Sequence, residues 1–185
     1  MTSNRVTNRS EKVEKKRVDL LFHNKIMLLA VAFLISLFIY IYLYTIKMPH
    51  IDLWIGISAA ILALRFIAIK FYLNHMDRPL GFKLQMEWLY TLLLILSGLL
   101  WGATSFLFLD GLTGLGILIV LLMTYGVLFG GLTASTSSMP ASICFTLSVV
   151  IPYMLYGLKQ ANLEGGLIAT ATLPFMGVLI KNART

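Results

Sequence analysis

Apolar runs of membrane-spanning length recur along this chain, each closed by a short polar break. A helix of about 20 apolar residues matches the hydrocarbon thickness of a bilayer. Inside lipid no water can satisfy the backbone, so a segment of this kind must bond to itself as a helix. The expected spans are residues 26–46, 51–71, 85–109, 112–133, 140–158 and 163–180. The fold class is therefore all-α, an integral membrane bundle of six transmembrane helices whose first partner is the lipid bilayer. Composition agrees: 12% of residues are charged, against about 25% in soluble domains.

The charge distribution sets the orientation. The formal net charge is +7, yet the basic residues flank apolar spans, which is the pattern of membrane topology and not of nucleic-acid binding. Residues 1–25 form a basic segment carrying Arg5, Arg9, Lys12, Lys15, Lys16, Arg17 and Lys25. Within it, residues 10–22 are expected to form a surface helix, with Val13, Val18, Leu20, Leu21 and Phe22 as its apolar matter. With six spans and the N-terminus in the cytoplasm, that side also receives Arg65, Lys70, Arg78, Lys83, Lys181 and Arg184, and only Lys47 and Lys159 fall outside. Both termini are thus expected to be cytoplasmic. Tyr40, Tyr42, Tyr44, Trp54, Trp88 and Tyr90 sit where interfacial aromatic belts belong.

Glycines four apart mark the expected packing centre. Gly98 and Gly102 lie in the third span, Gly126 and Gly130 in the fourth, and a tight turn at residues 110–114 joins the two. Small residues at this spacing let helix backbones approach in lipid, where packing drives association. The expectation is a hairpin packed on itself, with the space between Gly98, Trp101 and Gly126 as a ligand site. Trp101 lies deep in its span, and an indole N–H there needs an acceptor.

Arg65 and Glu87 are the ionisable residues nearest the hydrocarbon. Arg65 lies about 8 Å short of Lys70 along a helix rising 1.5 Å per residue. It either snorkels to the head groups or pairs with Glu87 as part of a ligand site. Pro152 and Pro174 fall inside the fifth and sixth spans and free the carbonyls of Ser148 and Thr170, so both are candidate kinks. Pro140 is placed to open the fifth span, with Ser138 as its cap.

Soluble-type catalysis finds no footing. There is no phosphate-binding glycine loop, no nucleophile elbow and no paired-carboxylate motif. His23, His50 and His75 lack metal-ligand spacing, and Cys144 is the single cysteine, so neither a metal nor a cofactor is expected. No catalytic residue is assigned, and this chain alone is not expected to be an enzyme.

A basic N-terminal segment, a Tyr-rich first span, a second span ending in Arg65 and Lys70, the stretch Gly98-Leu99-Leu100-Trp101-Gly102, a short Asp110 turn and a small-residue-rich fourth span follow in order. This order resembles the N-terminal membrane sensor regions of bacterial diguanylate cyclases and hybrid histidine kinases, over residues 18–181. The resemblance implies a bacterial inner-membrane signal-input domain. It also implies a homodimer, with the sixth helix leading into a cytoplasmic output domain in cis. Residues 181–185 would then be a cytoplasmic tail cut short before that domain. The alternatives are a small transporter or substrate-binding transport subunit, suited by the proline-broken helices, and a lipid-acting enzyme using Arg65, His75, Asp77 and Glu87 at one interface.

Overall fold

Among the described residues, five helices are long and apolar enough to cross a membrane, lying within residues 12–45, 51–73, 80–111, 114–133 and 139–160. The structure is a computed structural model that describes residues 2–22, 25–134 and 138–160, with Gly165, Gly166, Ile168, Thr170, Pro174 and Gly177 beyond them. The helices are α1 (Thr2–Phe22), α2 (Lys25–Thr45), α3 (Ile51–Leu73), α4 (Leu80–Leu107), α5 (Gly114–Ala134) and α6 (Met139–Gln160). No strand occurs among the described residues. The sixth expected span falls largely outside them, as do Lys181 and Arg184, while Pro174 is described and helical.

Local chemistry fixes the breaks. α2 stops because Lys47 turns left-handed (φ 55°) and the Met48 N–H reaches back to the Leu43 carbonyl at 3.0 Å. That six-to-one bond is the Schellman closure of a helix end. α4 begins at Leu80, earlier than the expected residue 85. Pro79 takes the extended conformation as N-cap, and its carbonyl accepts the N–H groups of Phe82 and Lys83. The Asp110 turn is a single 3-10 turn, Leu109–Gly111, ended by extended Leu112. α6 begins at Met139 and runs unbroken through Pro152.

α4 is the central helix, and its main partner is α6. This corrects the expectation of a self-packed α4–α5 hairpin. Gly98 and Gly102 do mark a close approach, but the helix they meet is α6. A Cβ on Gly98 would lie 2.8 Å from Ser148 Cβ, and one on Gly102 would lie 2.7 Å from both the Ser148 carbonyl oxygen and Pro152 Cγ. The Pro152 ring and the carbonyl it frees thus sit against the bare backbone of Gly102. α5 packs chiefly on α2 and α6, and a Cβ on Gly126 or Gly130 would have no neighbour within 4 Å. The close glycines of α5 are Gly116, where a Cβ would lie 2.9 Å from the Tyr42 hydroxyl, and Gly131, where it would overlap the Phe145 ring of α6.

Buried hydroxyls tie the bundle internally. Tyr153 of α6 is fully buried, and its OH lies 2.7 Å from Thr104 Oγ1 of α4 and 2.9 Å from Thr124 Oγ1 of α5. Each polar atom in this knot finds its partner in protein, as the bilayer interior requires. Trp54 of α3 donates its indole N–H to the Leu100 carbonyl at 3.1 Å and meets the Trp101 ring edge-on at 5.3 Å.

Candidate functional site

The basic end of the bundle carries an ionic clamp. α1 buries Val18, Leu21 and Phe22, the i, i+3, i+4 stripe of an amphipathic helix. Val13 and Leu20 stay exposed. That stripe lies on α4 and α3. Beside it, Arg17 forms a two-pronged pair with Glu87, Nη1 to Oε1 at 2.9 Å and Nη2 to Oε2 at 2.8 Å. Ser138, at the head of α6, donates its hydroxyl to the same Oε1 at 2.6 Å. Asp19 accepts from Lys83 Nζ at 2.7 Å and from the Tyr72 hydroxyl at 2.5 Å. The clamp therefore joins α1 to α3, α4 and α6. Charge-assisted bidentate geometry of this kind is the strongest of the side-chain pairings.

Arg65 has a different partner from the one expected. Glu87 is taken by Arg17, and Tyr90, one turn further along α4, stands at Arg65 instead. Arg65 Nη2 donates to the Tyr90 hydroxyl at 3.1 Å, and its guanidinium carbon lies 5.4 Å from that ring's centroid, within range of a cation–π contact. Arg65 is 7% exposed, so it neither snorkels out nor pairs with Glu87. Its Nε is buried and has no hydrogen-bond partner among the described residues.

Arg65 borders a cavity between the apolar helices together with Gly126, Gly130, Gly131, Ser97 and the apolar side chains of Leu28, Val31, Ala32, Ile35, Leu94, Val127 and Phe145. Space remains there because Gly126 and Gly130 put no side chain into it. Of the five expected ligand residues, Arg65 and Gly126 share this cavity. Trp101 and Gly98 lie in the packed interior on the Trp54 and α6 sides of α4, and Glu87 lies in the clamp.

Cavity and clamp touch through aromatic rings. Tyr90, which holds Arg65, lies 5.2 Å from Phe22 of α1. Phe22 stacks on Tyr72 at 3.9 Å, and Tyr72 bonds to Asp19. Arg17, Asp19, Lys83, Tyr72, Tyr90 and Ser138 were not singled out as site residues by sequence. A usable signal was present: Arg17 and Asp19 on one segment face Lys83 and Glu87 on another predicted for the same side.

At the opposite end, Asp110 Oδ1 accepts from the Tyr156 hydroxyl at 2.8 Å and from Gln160 Nε2 at 2.6 Å. This fastens the α4–α5 turn to the end of α6. Among the described residues no cluster of His, Cys, Asp and Glu is arranged to hold a metal ion. Comparison with known protein families, curated proteins and solved structures finds no match, so the likeness to sensor regions rests on the sequence pattern alone.

Proposed function

We propose that the chain is a signal-input module of a bacterial inner membrane. In this reading six helices cross the bilayer and both termini lie in the cytoplasm. The module works as a homodimer, and occupancy of the Arg65 cavity is passed to a cytoplasmic output domain in cis, a diguanylate cyclase or histidine kinase. One observation carries the reading. The only side-chain hydrogen bond Arg65 makes among the described residues is to Tyr90, whose ring also packs on Phe22 of the clamped α1. An input domain needs a site and an element whose two arrangements the site biases. The cavity supplies the first and the α1 clamp the second. A ligand acts here only by binding one arrangement more tightly than the other.

A small transporter is the second reading, favoured by the same cavity lying between helices at membrane depth. Gly126→Leu separates the two. Its Cβ enters open space at the border of the cavity. In the full-length protein it shifts cyclase or autokinase output at least about threefold, a change of under 1 kcal/mol. Unchanged output, or a full-length protein without a cytoplasmic output module, contradicts the input reading. Solute uptake into proteoliposomes that Gly126→Leu abolishes supports the transporter.

A further inference from the structure

The Arg65 cavity also carries information about what it binds. We infer that it takes the ionised carboxylate of a single-chain membrane amphiphile, with the head group at Arg65 and the apolar tail leaving into the lipid. This rests on the reading of the cavity as the input site and names its ligand class.

The charge comes first. Arg65 is buried within an apolar helix and meets no carboxylate among the described residues. A buried cation without an anion is costly in hydrocarbon and marks a functional position by default. The Tyr90 contact uses one of five guanidinium N–H donors, and the buried Nε lacks a partner. A guanidinium presents its donors as a planar fork, which a carboxylate matches with two parallel bonds.

Size and lining narrow the choice. The space open to the centre of a water molecule is about 40 Å³, room for roughly three waters at ~10–15 Å³ each. A carboxylate fits that room and a bulky phospholipid head group does not. Apart from Arg65 and Ser97, the walls are aliphatic, aromatic or bare glycine, which suits the first methylenes of a chain. Val31 and Gly126 at its border are exposed on the lipid-facing surface. Entry is therefore sideways from the bilayer, between α2 and α5. A tailless anion would have to cross hydrocarbon to arrive.

The test uses the whole chain in phosphatidylcholine nanodiscs, titrated with dodecanoate labelled with carbon-13 at the carboxyl. Carbon-13 NMR is expected to show a saturable bound carboxylate signal, about one per chain, absent from empty nanodiscs. Arg65→Gln weakens it at least about tenfold, the scale of one lost charge-assisted hydrogen bond. Gly126→Leu, which adds a side chain at the border of the cavity and leaves the charge in place, abolishes it. Dodecanol and acetate do not compete. No saturable signal, a signal unaffected by both variants, or equal competition by acetate overturns the proposal. Amide exchange of α1, recorded on the same samples, separates the two readings. Saturable binding that leaves α1 exchange unchanged upholds the ligand class and contradicts the input function.

Discussion

Glu87→Ala is expected to release α1 from the bundle while leaving the membrane helices assembled. Among the described residues, Glu87 alone bonds to both α1 and the head of α6, through Arg17 and Ser138. Breaking a buried pair by removing one partner costs about 3–5 kcal/mol when the other charge is trapped. Here the Arg17 side chain is 34% exposed and that of Glu87 is 10% exposed. Water therefore recovers part of the Arg17 charge, and the expected cost is nearer 2 kcal/mol, between the buried and surface limits. In hydrogen exchange, amides of residues 18–22 should lose about 30-fold in protection, since 1.4 kcal/mol is tenfold. Amides of the middle of α4 should be unchanged. Glu87→Gln should fall between the two, because it keeps an acceptor for Ser138 and loses the charge for Arg17. Loss of protection spread evenly over α3, α4 and α6 would show that the clamp holds the bundle together and not α1.

The glycines should split by sign. Alanine at Gly98 or Gly102 places a Cβ 2.7–3.0 Å from backbone oxygens of α6, which no side-chain rotation can relieve. The α4–α6 pair must separate, and overpacking of that kind costs about 1–3 kcal/mol. Alanine at Gly126 or Gly130 meets nothing within 4 Å. There the gain in helix propensity, up to about 1 kcal/mol, goes unopposed. Unfolding in mixed micelles should show the first pair destabilised and the second pair neutral or stabilised. Equal losses at all four positions would restore the α4–α5 hairpin as the packing centre.

Much of the architecture was legible. Run length alone located α2, α3, α5 and α6 to within a few residues, because lipid leaves the backbone no alternative to helix. The start of α4 was missed because residues 80–84 read as loop after Pro79, whereas Pro79 caps the helix and Lys83 is drawn back by Asp19. Helix pairing was not legible. The spacing of Gly98 and Gly102 announces a close approach without naming the partner, and sequence adjacency pointed to α5. The partner is α6, whose Ser148 and Pro152 lie far along the chain. α5 is apolar on every side, so nothing in its pattern distinguishes a packed glycine such as Gly131 from the unfilled Gly126 and Gly130.

The site divides along similar lines. Arg65 stands out because a cation inside an apolar span is rare. Its partner Tyr90 reads as one more belt aromatic, and a tyrosine hydroxyl offers no charge pattern to search for. The apolar stripe of α1 was visible, but Val13 and Leu20 blurred it. The clamp needed two distant segments to be compared for charge, which a pass along the chain in order does not do.

In the proposed module Arg65 and the α1 clamp are energetically joined through Tyr90 and Phe22. A double-mutant cycle between Arg65→Gln and Arg17→Gln, read as the free energy of α1 amide opening by hydrogen exchange, tests it most directly. Sites without shared partners add to within about 0.3–0.5 kcal/mol. A coupling of about 1 kcal/mol or more is expected between these two residues, which do not touch. Additive effects, with the Arg65 variant leaving α1 opening as it was, would contradict it.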